Sequence, residues 1–262
     1  SFDCSDIGTM VVNRFLADSS SNGATCSVNV TIEDTTAPVF TCVDADVYLD
    51  SLGIGLLSVN DVVTGLSDNC GTVNTVISQD TFGCGDLGTI PVDIFLSDSL
   101  GNADSCSVTV TVIDSLAPVA ICSTGVVLNL DSAGIAVLDV MDIGDASTDN
   151  CDVPLLSVDI DTFDCGLIGL QTVNLTATDR SGNADSCTAQ VRVQDTIAPM
   201  AVCYSGPVYL DSLGMADVDF ATVGAASSDN CSIDSVDYSS FVVDCSDLGD
   251  TLGYSFVVYD AS

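Results

Sequence analysis

Two residue types in this chain recur at spacings that imply chemistry, aspartate and cysteine. The acids fall in three sets along the 262 residues. The first holds Glu33 and Asp34, then Asp68 and Asn69, then Asp98, Asn102 and Asp104. The second holds Asp114, then Asp149 and Asn150, then Asp179, Asn183 and Asp185. The third holds Asp195, then Asp229 and Asn230, then Asp260. Each set draws short, hard oxygen donors from three separated segments. Asp rather than Glu suits turns, where a short side chain converges on a cation close to the backbone. Such sets predict Ca²⁺, which takes six to eight oxygens, over Mg²⁺, which keeps its waters. An early segment keeps Asp18 and Asn22 but has Ala24 where the others have Asp.

The cysteines follow a cycle. Their spacings run 22, 16, 28, 14, then 22, 16, 29, 14, then 22, 16, 28, 14, from Cys4 to Cys245. Thirteen cysteines in such a chain predict disulfides and an oxidising, extracellular compartment. Zinc is disfavoured, because the chain has no His and no CxxC pair.

Other residues keep the same period. Phe2, Phe82, Phe163 and Phe241 are 80, 81 and 78 residues apart. Ser/Thr-Asp-Asn-Cys recurs at 67–70, 148–151 and 228–231, and Leu-Asp-Ser-(Leu/Ala)-Gly at 49–53, 130–134 and 210–214. Gly-Asn-Ala-Asp-Ser-Cys occupies 101–106 and 182–187. Asp-(Thr/Ser)-x-Ala-Pro at 34–38, 114–118 and 195–199 supplies the linkers, since proline stops a strand ladder. The expected organisation is a partial domain (1–36), two whole ones (37–116 and 117–197), and a last one lacking its final strand (198–262). Residues 241–262 repeat the register of the opening residues, so the expectation is a window on a longer tandem array.

Each repeat reads as β. Val28 to Ile32 and Val108 to Val112 alternate apolar and polar residues, and Gly, Asp, Asn and Ser clusters separate strand-sized runs. The fold class is all-β: tandem immunoglobulin-like sandwiches of about 80 residues, end to end. Alternation turns Val92, Ile94 and Leu96 inward, together with Val173, Leu175, Ala177 and Tyr254, Phe256, Val258. Arg14 falls in the same register and must lie at a sheet edge or pair with an Asp, because burying it alone is costly. In such a sandwich the incoming linker, the loop between the second and third strands and the last hairpin loop share one end. Those are the segments that carry the acids.

The order Ala-Pro-x-x-x-Cys, Asp-Asn-Cys, Phe, Asp-x-x-Gly-Asn-x-x-x-Cys, then a Val/Thr strand resembles the hyalin-repeat (HYR) family along the whole chain. That family consists of immunoglobulin-like modules strung in tandem in extracellular proteins, used mainly as spacers and adhesive stalks. It usually has two cysteines per module, matching Cys42 and Cys106; Cys70 and Cys84 are additions. The resemblance implies Cys42–Cys106 with Cys70–Cys84, Cys122–Cys187 with Cys151–Cys165, and Cys231–Cys245. Cys203 would have its partner beyond Ser262, and Cys4 and Cys26 theirs upstream. A strand of about eight residues, spanning roughly 26 Å, separates Cys84 from Cys106 and excludes that pair. Cys70–Cys106 with Cys42–Cys84 stays open.

Composition bounds the function. The charge is −35, from 38 acids and three Arg, yet 47% of residues are hydrophobic. This excludes an acidic disordered tail and a nucleic-acid binder, and no apolar run is long enough to span a membrane. Without His or Lys the usual bases and triads are missing, so no enzyme is expected. The expected function is a structural fibre or surface stalk. Interdomain Ca²⁺ would rigidify it in the manner of cadherin-like linkers, and its partner would be itself, head to tail with lateral assembly open. The alternative is an adhesive array binding glycans or a protein partner. No aromatic cluster supports it: Tyr48 and Tyr209 share a register, but Leu128 stands there between them. Asn29 and Asn174 are N-glycan acceptor candidates. Asn230 matches the same pattern inside an Asp-Asn-Cys phrase. Asp-Ser/Thr-aliphatic triplets at Asp50, Asp98, Asp114, Asp131, Asp195, Asp211 and Asp250 look like an O-glycosylation motif of certain secreting Gram-negative bacteria.

Overall fold

The computed structural model describes residues 1–260. The chain forms two compact units, Ser1–Leu116 with Asn150–Asp152, and Ala117–Asp149 with Val153–Ser262. It is an all-β chain of immunoglobulin-type sandwiches.

The first unit opens with a hairpin, strand Gly8–Ala17 antiparallel to Gly23–Ile32, in register from Gly8↔Ile32 to Ala17↔Gly23. A four-stranded sheet follows, in the order Ala45–Tyr48, Ala103–Ile113, Gly88–Ser97, Asn74–Ile77. Its first pair is parallel and the others antiparallel. Two short ladders, Val39–Cys42 with Val63–Ser67 and Ile54–Leu56 with Thr81–Gly83, complete the sandwich. The strand Gly88–Ser97 alternates as its sequence demands, with Val92, Ile94 and Leu96 at 0%, 0% and 1% exposure. They pack with Phe82, Val62 and Val110 in one core. Arg14 is exposed on the opening hairpin, so burial imposes no need for a partner.

The second unit repeats the four-stranded order with Val126–Asn129, Ala184–Gln194, Gly169–Thr178 and Leu155–Val158. Val173, Leu175 and Ala177 are fully buried, the first two in one core with Phe163. Its last part pairs Met215–Val218 with Phe241–Asp244, and Ser235–Tyr238 with Phe256–Tyr259. The core there is small, built on Val218, Val223 and Val243.

Three short α-helices interrupt the strands: Val59–Val62, Val140–Gly144 and Phe220–Val223. Each is started by a capping side chain, from Ser58, Asp139 and Asp219. Ser58 and Asp61 cap each other's backbone amides reciprocally, a signal visible in Ser-x-x-Asp. Each helix delivers one buried aliphatic residue, Val62, Ile143 or Val223.

Five disulfides staple the described residues. Cys42–Cys106 and Cys122–Cys187 close separations of 64 and 65 residues. The other three correct the expected pairing. Cys70 bonds Cys4, not Cys84; Cys84 bonds Cys151; Cys165 bonds Cys231. Cys70–Cys84, Cys151–Cys165 and Cys231–Cys245 are absent, as are Cys70–Cys106 and Cys42–Cys84. The reason is strand length. Asn74 pairs with Ser97, so Cys70 lies near that end of strand Gly88–Ser97, whereas Cys84 leads into Gly88 at the other. A ten-residue strand spans about 30 Å, far beyond disulfide reach. The consideration that removes Cys84–Cys106 therefore removes Cys70–Cys84 as well. Cys4 has its partner in the first unit, and Cys26, Cys203 and Cys245 are free and exposed among the described residues.

Core and surface of one strand offer a direct check. Ile94→Ala, at a fully buried site, is expected to cost about 2–5 kcal/mol in denaturant unfolding, and Phe95→Ala, half exposed next to it, within about 0.5 kcal/mol.

Candidate metal centre

Three strand ends build the first acidic cluster. Strand Gly23–Ile32 leads to Asp34, Val63–Ser67 to Asp68, and Gly88–Ser97 to Asp98. One carboxylate oxygen from each lies within 4.8 Å of the other two. Each acid first shapes its own loop. Asp98 Oδ1 accepts the backbone N–H of Leu100 at 2.9 Å and of Asn102 at 2.8 Å, while Oδ2 accepts the Asn102 amide at 2.7 Å. These bonds, the Asn102 side chain first, hold the Asp98 carboxyl below the usual range despite its burial. Asn102 also donates to the Asp34 carbonyl at 3.0 Å. Asp34 Oδ1 accepts from Thr36 N and from the Asn69 amide, both at 3.0 Å. Asp68 Oδ2 accepts from Cys70 N at 2.9 Å.

The remaining oxygens of Asp34 and Asp68 are the informative ones. Asp34 Oδ2 and Asp68 Oδ1 are buried and have no hydrogen-bond partner. A buried anionic oxygen without a donor is costly, and like charges at this range disfavour one another. A divalent cation relieves both.

The second unit repeats the arrangement. Asp195 follows strand Ala184–Gln194, Asp229 lies in the Ser-Asp-Asn-Cys loop, and Asp260 follows Phe256–Tyr259. Their oxygens again lie within 4.8 Å of one another. Asp195 Oδ1 accepts from Ile197 N at 3.0 Å and from the Asn230 amide at 3.2 Å. Asp229 Oδ2 accepts from Cys231 N at 3.0 Å and Ser232 N at 3.2 Å. Asp195 Oδ2, Asp229 Oδ1 and Asn230 Oδ1 are buried without partners. Two copies thus leave the same two Asp oxygens unsatisfied, so the donor set fits a hard cation.

The other expected ligands fall elsewhere. Glu33 is exposed and outside the group of three. Asp104 is exposed, its carboxylate on Ser105 N at 2.8 Å. Asp185 accepts from Ala120 N at 3.0 Å, which holds its carboxyl low. Asn69 and Asn102 point their amide nitrogens at Asp34, and position it. Of the middle set, Asp114 and Asn150 belong to the first unit, where the Asn150 amide reaches Asp114 at 3.3 Å. Asp149, Asp179, Asn183 and Asp185 belong to the second, where Asn183 wraps the Asp179 carboxylate through N and Nδ2, both at 2.8 Å. Asn29 is exposed on its strand. Asn174 is exposed as well, with its side chain donating to Asp159 at 2.7 Å. The Asn230 amide nitrogen is engaged by Asp195 and by the Asp131 carbonyl. Tyr48 and Tyr209 are both exposed.

Immunoglobulin-type β-repeats stapled by five disulfides define an extracellular or cell-surface protein. The chain is hyalin-repeat-like: it is similar to hyalin of Strongylocentrotus purpuratus, 31% identical over 205 residues, which is 74% of this chain. The match spans 17% of hyalin's length. No family model matches. Among solved structures it is similar to human mucin-like protocadherin EC1-2, at 8% identity and a TM-score of 0.33, covering 62% of this chain and all of that one. It is also similar to protocadherin gammaB7 EC3-6, at 15% identity and a TM-score of 0.30, covering 82% of this chain and 64% of that one. No helix among the described residues is long and apolar enough to cross a membrane.

Proposed function

We propose that the chain is a structural segment of an extracellular fibre or stalk, in which Ca²⁺ at the acidic clusters fixes consecutive repeats. The observation that carries this reading is the pair of unpartnered buried oxygens, on Asp34 and Asp68 and again on Asp195 and Asp229. In each cluster one acid comes from the linker phrase that ends one repeat, and two from loops of the repeat that follows. A bound Ca²⁺ supplies charge neutralisation and ties those segments together. Asp34, Asp68 and Asp98 would hold one ion, and Asp195, Asp229 and Asp260 another. Asn69, Asn102 and Asn230 orient the carboxylates.

The acids recur with the repeat, whereas a catalytic site occurs once, and this supports a scaffold over an enzyme. Exposure of Asn29 supports glycan attachment there; at Asn174 a glycan would displace the bond to Asp159. Electron microscopy of the native material tests the mechanical reading. The expected result is a beaded fibre that loses stiffness in chelator and regains it with Ca²⁺. A fibre equally stiff in both, or a compact particle, contradicts it.

A further inference from the structure

The two phrases Leu-Asp-Ser-x-Gly and Asp-Asn-Cys meet in the structure as socket and plug. In the first unit the turn Asp50–Gly53 closes through Gly53 N–H to Asp50 O at 2.9 Å, with Asp50 Oδ1 accepting from Leu52 N and Ile54 N. Asn150 docks on it: its amide donates to Asp50 O at 3.2 Å. Its backbone carbonyl oxygen lies 2.9 Å from where a Gly53 Cβ would stand. Cys84, beside the turn, then bonds Cys151 with a Cα–Cα distance of 5.3 Å. The second unit repeats every contact. Asn230 donates to Asp131 O at 3.1 Å, its carbonyl lies 2.8 Å from the Gly134 Cβ position, and Cys165 bonds Cys231 at a Cα–Cα distance of 5.4 Å. The glycine is required twice over, by its φ of 71° or 74° and by the Asn carbonyl against it.

A third turn has the same construction. Gly214 N donates to Asp211 O at 3.0 Å, and Asp211 Oδ1 accepts from Leu213 N at 2.7 Å and Met215 N at 3.0 Å. Gly214 has φ 76°, and the Cys245 Sγ lies 2.8 Å from its Cβ position, as Cys84 and Cys165 do at 2.6 and 2.7 Å. Cys245 is a free, exposed thiol. The three Asp-Asn-Cys phrases of this sequence are all engaged, through Cys70, Cys151 and Cys231.

We propose that Asp211, Gly214 and Cys245 form a socket for an Asp-Asn-Cys segment of a further repeat, locked by a disulfide to Cys245. The Asn side-chain amide would donate to Asp211 O, and the Asn backbone carbonyl would sit over Gly214. Bond formation needs a low-molecular-weight disulfide as oxidant. The Cys245 thiolate attacks it and displaces one thiolate; the incoming Cys thiolate then attacks the mixed disulfide at the Cys245 sulfur and displaces the second. The two cysteine thiols give up two protons to the released thiolates, and the oxidant takes the two electrons. The proposal deepens the array reading by naming what joins its repeats, and it does not depend on Ca²⁺.

The test is made on the whole chain in chelator, with the peptide Ser-Ser-Asp-Asn-Cys-Ser and a buffer of oxidised and reduced glutathione. Intact mass and peptide mapping then read which thiol carries the peptide. Cys26 and Cys203, also free and exposed, are internal controls. Cys245 is expected to carry the peptide with at least about tenfold preference over both, a factor worth about 1.4 kcal/mol. Changing the peptide's Asn to Ala is expected to remove the preference, as is Gly214→Ala in the chain. Equal labelling of the three thiols overturns the proposal, and so does an undiminished preference for the Ala peptide. The peptide variant keeps the test decisive if Gly214→Ala fails to fold.

Discussion

Asp68→Asn is expected to lower the melting temperature of the first unit in Ca²⁺ and to leave it unchanged or raise it in chelator. The sign change follows from the geometry. Asp68 keeps one oxygen on Cys70 N, a bond that Asn can retain. What Asn removes is a negative charge from a cluster whose carboxylates lie within 4.8 Å of one another. Without a cation that removal relieves repulsion; with one it deletes a ligand. If free Ca²⁺ stands at about ten times the dissociation constant, the ion contributes about 1.4 kcal/mol, and a tenfold weaker site contributes about 0.4 kcal/mol. The difference, about 1 kcal/mol, corresponds to a fall of roughly 4 °C for a unit of this size. Asp229→Asn should behave likewise in the second unit. Differential scanning calorimetry in Ca²⁺ and in chelator reads both. A turn acid with no role in cation binding would show the same effect in both buffers.

The second large effect concerns the Cys84–Cys151 bond. The double variant Cys84→Ser, Cys151→Ser opens a closure of 67 residues. In the chain-entropy model such a closure is worth about 4 kcal/mol. The first unit is expected to melt more than about 10 °C lower, with the second much less affected. A non-reducing peptide map of the unaltered chain should recover Cys84 joined to Cys151 and Cys4 joined to Cys70. Recovery of Cys70 joined to Cys84 would overturn the pairing and the strand geometry behind it.

The alternation of Val92, Ile94 and Leu96 was enough to orient a strand, because a period of two leaves one choice of face. The acidic sets were legible for a similar reason: three loops at one end of a sandwich must converge. Which acids converge was less legible. Asp104 and Asp34 look alike in sequence, but Asp104 lies within strand Ala103–Ile113 and Asp34 past a strand end. Many Asp residues serve turns instead, as Asp50, Asp131 and Asp211 do by accepting two backbone amides each. The same is true of Asp18, whose loop copies that of Asp98. Of the expected disulfides Cys42–Cys106 and Cys122–Cys187 form, whereas the pairs 14 residues apart do not, because their cysteines bond outside the 80-residue period, Cys84 to Cys151 and Cys165 to Cys231. Cys70 and Cys84 are 14 residues apart along the chain, and only the strand between their positions sends them to opposite ends. The signal that could have corrected this was present. Leu-Asp-Ser-x-Gly recurs as faithfully as Asp-Asn-Cys, and a glycine held at one place in three turns marks a close backbone approach.

The claim that the clusters are Ca²⁺ sites is tested most directly by isothermal titration of the chelator-stripped chain with Ca²⁺. Saturable binding is expected in the range of about 10⁻⁴–10⁻³ M common to extracellular modules, weakened at two sites by Asp68→Asn with Asp229→Asn. An absence of saturable heat through that range, or an unchanged isotherm in the double variant, would contradict it.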